Sequence, residues 1–262
     1  MTTTRRTTRT TRSGESHSLN FHIPFNLPFP YSYMVLIATS LRAAFVEPSR
    51  SFQYSLMLFL AALFALVGGY FMGGLAILSY DLSVGAVVAA LLMIFLFSYI
   101  FVWFASDLSS FLGHKTYLSR EEFAIRGARV FVLWAIVYAL TFFFFNYVSY
   151  PFDAVLSFIV SLFAIYATVI ITIDGYSIVS SVSASLSLLR DQWLHVLEFI
   201  VLSLLLVIPI FLIDAVGGFF GSVLAIILMT FLAIPWLTTH VVLTYLYRYP
   251  IVVAALRKLE RL

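Results

Sequence analysis

Three ionisable residues fall where lipid should make charge costly: Asp174, Glu198 and His240. Asp174 and Glu198 lie near the ends of long apolar runs. His240 lies inside another, about a turn and a half beyond Pro235. Ionisable groups that converge inside a membrane bundle mark ion or proton pathways, because lipid cannot solvate them. Brought together, these three would form a polar cluster able to bind a cation or relay protons. A plainer alternative gives each a local role. Asp174 and Glu198 then reach the interface along their stems, and His240 makes one interhelical hydrogen bond.

A second set of acids, Asp81, Asp153 and Asp214, stands one in each of three short connectors. Together they could form an outer acidic ring that attracts a cation. Asp81 and Asp153 also suit the N-cap role at the spans they precede, and Asp214, which ends a span, fits that role less well. Pro209 and Pro235 sit inside spans and are expected as helix kinks. Two kinked neighbours can open a midplane cavity, although membrane helices also tolerate proline without one. Gly69 and Gly73 form one GxxxG, Gly217 and Gly221 another, and Gly68 and Gly74 flank the first. Such spacing lets helices approach closely.

Enzyme chemistry finds no foothold. There is no HExxH pair, no G-x-S-x-G elbow, no phosphate-cradling GxxxxGK and no histidine cluster. Ser180, Ser181, Ser183 and Ser185 lack a base in their motif. His195 reads as an interfacial residue beside Trp193. The chain contains no cysteine, which excludes disulfides, iron–sulfur clusters and thiol nucleophiles. No catalytic residue, metal ligand or cofactor site is expected.

The elements that must position these residues follow from composition. Of 262 residues, 62% are hydrophobic and 10% charged, against roughly 45–50% and about 25% in soluble domains. A soluble fold of this size cannot hide that much apolar surface. The expected class is all-α: a polytopic integral membrane protein with six transmembrane helices plus amphipathic interfacial helices. The spans are placed at 53–78, 84–106, 128–149, 153–173, 196–214 and 221–246.

Residues 1–33 read as a disordered Thr/Arg-rich tail and a Pro/aromatic linker, 34–248 as the membrane domain, and 249–262 as a basic C-terminal tail. Three stretches read as amphipathic interfacial helices, with ordinary cytoplasmic loops of chance periodicity as the alternative. Met34 to Val46 is one. Residues 107–129 are another, where Ser119-Arg120-Glu121-Glu122 forms a capping box that starts a helix at Arg120, one that can run on into span three. The third carries the apolar stripe Ile178, Val182, Leu186, Leu189, Trp193 and Leu197, with Ser180, Ser181, Ser183, Ser187 and Asp191 mostly off it. Each leads into a two-span hairpin, so the chain divides into three helix-plus-hairpin units over about 34–106, 107–173 and 176–246. Any even-spanning protein reads as repeated hairpins, so duplication stays one of two alternatives.

Charge sets the orientation. All 15 basic residues lie in the N-terminal part, the connectors after spans two and four, or the C-terminal tail. The positive-inside rule then makes the protein integral to the cell membrane with both termini cytoplasmic. Arg5, Arg6, Arg9 and Arg12 form a tail suited to anionic lipid headgroups on the cytoplasmic face.

The stretches ATVIITIDGYSIVSSVSASLSLLRDQWLHVL and LRAAFVEPSRSFQYSLMLFL resemble uncharacterised prokaryotic six-span proteins similar to the membrane domain attached to some glycerophosphodiester phosphodiesterases. The resemblance covers about residues 34–248. It implies a membrane module that stands beside other activities. It transfers no catalytic residue, because this chain has no room for the phosphodiesterase domain. The expected function is a non-enzymatic scaffold, accessory subunit or membrane-organising protein. The alternative is a small transporter or channel for an ion or small solute. Expected partners are the bilayer and a membrane protein or a second copy, with no nucleic acid.

Overall fold

The computed structural model describes residues 37, 38, 40, 41, 44, 51–64, 82–111, 118–191 and 193–259. Among them about 95% are helical and no strand occurs, so the class is all-α. The helices are α1 (Ser51–Phe64), α2 (Leu82–Phe111), α3 (Arg120–Tyr147), α4 (Phe152–Asp174), α5 (Ile178–Asp191) and α6 (Trp193–Gly218). The last, α7, is apolar over Phe220–Leu246 and stays helical to Leu259. Ile37, Ala38, Ser40, Leu41 and Ala44 are also helical.

Five helices, α2, α3, α4, α6 and α7, are long and apolar enough to cross a bilayer. The protein is therefore built from transmembrane helices. The sixth expected span, at 53–78, is represented by α1 alone, which is shorter than the roughly 20 residues a crossing needs. The rest of that span lies outside the described residues. So do Asp81, Gly68, Gly69, Gly73, Gly74 and the tail arginines Arg5, Arg6, Arg9 and Arg12.

Local chemistry explains where several helices begin and end. At α3 the capping box forms: the Glu122 amide donates to Ser119 Oγ at 3.2 Å, and the Ser119 amide donates to Glu122 Oε2 at 2.9 Å. The helix runs unbroken from Arg120 into the span. The helix expected at Arg120 therefore runs on into the span, and the described ends of the stretch 107–129 belong to α2 and α3. The start of that stretch completes α2, which extends to Phe111, and its end supplies the first turns of α3. The apolar positions of both helices continue past the expected boundaries, which is why they extend.

Helix α4 ends on Gly175 at φ 73, a left-handed C-cap that glycine adopts without strain. Helices α6 and α7 are broken apart at Gly218, with φ 54 and ψ −143. Just past the break, Gly221 packs against backbone. A Cβ there would stand 2.3 Å from the Ile213 carbonyl oxygen, while one on Gly217 would meet nothing within 4 Å. Only one glycine of that expected pair serves close approach.

The two prolines differ. Helix α6 runs through Pro209, and its only non-helical backbone is at Gly218. A proline ring in a regular α-helix clashes with the carbonyl four residues back, which for Pro235 is that of Phe231. Phe231 lies in a π turn, Met229–Ala233, whose wider ladder accommodates the ring.

The largest core cluster gathers Phe104, Leu108, Tyr166, Ile170, Phe199 and Tyr245 from α2, α4, α6 and α7. A second one, with Val102, Val130, Leu133 and Ala167, joins α2, α3 and α4. Gly127 lets α2 and α3 come close, since a Cβ there would meet the Tyr99 ring at 2.5 Å. Helix α5 forms, but it buries a different face from the expected apolar stripe. Its buried face is Ser181, Ala184, Ser185 and Leu188, and Leu186 is exposed. Ser185 Oγ donates to the Phe163 carbonyl at 2.9 Å, so α5 lies back along α4 on its small residues. Small side chains allow that approach, which a reading of the apolar stripe alone does not anticipate.

Candidate functional site

The site grows from one helical spacing. His195 and Glu198 are three residues apart at the start of α6, which places both on one face. His195 Nδ1 lies 3.1 Å from Glu198 Oε2, and their side chains are only 5% and 7% exposed. His195 is therefore a buried partner of a carboxylate, a role that its neighbour Trp193 does not signal. Trp193 itself is exposed.

From α7, His240 faces the same carboxylate. Its Nε2 is 3.9 Å from Glu198 Oε1, too far for a hydrogen bond, and its side chain is fully buried. Among the described residues neither Glu198 Oε1 nor His240 Nε2 has a hydrogen-bond partner. Phe199 stacks over the His240 ring with centroids 6.4 Å apart. Tyr166 of α4 packs edge-on against Phe199, and its buried hydroxyl likewise has no partner among the described residues.

Proton positions in this cluster follow from counting hydrogens. Ser40 Oγ donates its single hydrogen to the Ile37 carbonyl at 2.8 Å. It must then accept from its other neighbours, Trp236 Nε1–H at 3.0 Å and His240 Nδ1–H at 3.3 Å. With its hydrogen on Nδ1, a neutral His240 presents a bare Nε2 to Glu198. When Glu198 is ionised, two acceptors face each other, and one proton would draw them together to hydrogen-bond length. Ser40 sets the tautomer, and the buried setting leaves water little part in it.

Asp174, the third residue of the expected cluster, is held differently. The Tyr245 hydroxyl of α7 donates to Asp174 Oδ2. Beside it, α3 clamps the end of α4. Arg126 Nη1 donates to the Thr172 and Ile173 carbonyls at 2.6 and 2.9 Å, and Arg129 Nη1 donates to the carbonyls of Gly175 and Tyr176. These guanidinium groups satisfy carbonyls that a helix end leaves open, and their charge complements the helix dipole. The structure thus brings Glu198 and His240 face to face and ties Asp174 to Tyr245.

The expected outer acids occupy two settings. Asp153 is in the first turn of α4, 7% exposed, with Oδ1 unpartnered among the described residues. Pro151 holds the N-cap position, without a side-chain cap, so Asp153 does not perform the N-cap role. Asp214 accepts a hydrogen bond from Ser222 across the α6–α7 break at 2.5 Å and lines a cavity of about 450 Å³. A separate cavity of about 190 Å³ lies among Phe97, Phe101, Trp134, Ile165, Phe199 and Leu237. Among the described residues no group of three or more His, Asp or Glu side chains is arranged to hold a metal ion.

His195, Ser40, Trp236 and Tyr166 are the members sequence reasoning passed over. The i, i+3 spacing of His195 and Glu198 carried a signal. The contacts of Ser40 with Trp236 and His240 join distant parts of the chain and carried none. No family model matches the chain, and the curated proteins and solved structures compared with it give no match either.

Proposed function

We propose that this chain is a small membrane transporter or channel in which Glu198 and His240 share one exchangeable proton. The observation that carries this reading is the buried, unbridged pair of Glu198 Oε1 and His240 Nε2 at 3.9 Å. Burying two such groups in a membrane bundle is expensive unless the site is used. Proton uptake replaces an acceptor–acceptor contact with a charge-assisted hydrogen bond, and release restores the open pair. The π turn before Pro235 also supports it, because such local departures from the α ladder accompany functional sites.

In the same reading α1 begins the first of six spans. Both termini are cytoplasmic, as the basic residues indicate. The tail arginines contact anionic headgroups. A scaffold or accessory subunit is the second reading. It is favoured by α6, whose side chains Val201, Leu204, Leu205, Ile208, Phe211 and Leu212 are exposed and could be covered by a partner helix as well as by lipid.

The test is a proton count. Purified protein is titrated between two pH values, and bound protons are measured for the wild type, Glu198→Gln and His240→Gln. The proposal expects each variant to take up about one proton fewer than the wild type. Equal uptake by all three would remove the site.

A further inference from the structure

The two cavities and the Glu198–His240 pair are built from successive stretches of α6 and α7. The larger cavity has Asp214 and Ser222 in its wall together with Ile234. Ile234 is also in the wall of the smaller one, so a single side chain borders both. Phe199 lines the smaller cavity and stacks over His240. One phenyl ring therefore stands between that cavity and the proton pair. Sequence order agrees on both helices: Ser222, Ile234, His240 down α7, and Asp214, Phe199, Glu198 back along α6.

The lining decides what could pass. The smaller cavity is apolar apart from two hydroxyls, and both are engaged. Thr168 Oγ1 donates to the Ala164 carbonyl and accepts from Trp134 Nε1, and Thr238 Oγ1 lies 3.4 Å from the Tyr54 hydroxyl. No carboxylate lines it, so a sodium or potassium ion would shed water and gain no ligand there. A file of water needs no such ligand. A space of about 190 Å³ is roomy enough for a short file of waters. Apolar walls keep such a space dry at rest, which is how a hydrophobic constriction closes a pore.

We propose that these spaces form one proton-selective route, closed at Ile234 and Phe199, with Asp214 as the acceptor at its far end. The proposal rests on the Glu198–His240 reading and adds the path and its two barriers. A proton on Asp214 passes to water in the larger cavity when Ile234 gives way. It crosses the smaller cavity on a transient water file and draws Glu198 Oε1 and His240 Nε2 together when Phe199 turns aside. Release on the opposite side restores both acceptors, and no other bond changes. The titratable groups facing Glu198 are His195 on its own helix, His240 on α7 and Tyr166 on α4. Asp214 faces Ser222.

The test uses the full chain in liposomes of phosphatidylcholine and phosphatidylglycerol, with an internal pH dye and a potassium-valinomycin potential. Phe199→Ala and, independently, Ile234→Ala are expected to raise proton flux about tenfold over wild type. Adding Glu198→Gln to Phe199→Ala is expected to return the flux to wild type. Sodium flux is expected to stay at the level of empty liposomes throughout. Two independent barrier variants guard against one failing to fold, which monodispersity and circular dichroism report. Folded variants with no added proton flux overturn the route, and equal sodium leakage overturns its selectivity. The proton count on the purified protein separates the two failures. A pair that still binds its proton keeps the site and loses only the path.

Discussion

Arg126 of α3 donates from one nitrogen to two successive carbonyls of α4, Thr172 at 2.6 Å and Ile173 at 2.9 Å. The contact spans two neighbouring helices and fixes where α4 stops. Arg126 is also 3.9 Å from Glu122, one turn back on its own helix. Because the guanidinium is mostly buried, removing it strands carbonyls that water reaches poorly. Arg126→Ala is expected to destabilise the protein by about 2–3 kcal/mol, read as a lower Tm in detergent. Arg126→Lys should recover only part of this, because a single ammonium lacks the planar fork.

Gly175 sits under the same guanidinium. Its φ is 73, and a Cβ would stand 3.1 Å from Arg126 Cζ and Nη2. Gly175→Ala is expected to cost about 1–2 kcal/mol from the left-handed backbone alone, with more from the displaced arginine. Combining it with Arg126→Ala should cost less than the sum of the two, because they share that contact. Strict additivity in a thermal-shift cycle would deny the coupling.

Ser119 predicts a local effect. Ser119→Ala removes the acceptor for the Glu122 amide and should cost about 1 kcal/mol. Hydrogen exchange should speed up at the first turn of α3 and nowhere else. Faster exchange in α4 would mean that the cap supports the clamp as well.

Ser40 supports the imidazole. Ser40→Ala leaves Trp236 Nε1–H and His240 Nδ1–H without their acceptor, an expected loss of about 1–3 kcal/mol. Ser40→Thr keeps the hydroxyl and should recover most of it. Equal stability of the alanine and threonine variants would show that the hydroxyl does not hold the ring.

Much of the architecture was legible because its causes are local. The Ser119–Glu122 capping box lies within one turn and formed as expected. The helical class followed from apolar runs that lipid permits only as helices or barrels. Glu198 and His240 stood out because charge is costly within apolar runs, whatever the fold. Three features were not legible, for physical reasons. Helix α5 packs on Ser181, Ala184 and Ser185, since closeness to α4 outweighs hydrophobicity there. The bond from Tyr245 to Asp174 depends on how α7 packs against α4, which no spacing encodes. Trp193 is a strong interfacial signal that masks His195, whose surroundings are determined by the facing Glu198.

The central claim is the shared proton, and infrared difference spectroscopy reads it most directly. Spectra of the full chain at high and low pH are compared for the wild type, Glu198→Gln and His240→Gln. The wild type is expected to show a titrating band, from Glu198 or the His240 ring, that is altered or lost in both variants. The same difference spectrum in all three proteins would contradict the claim.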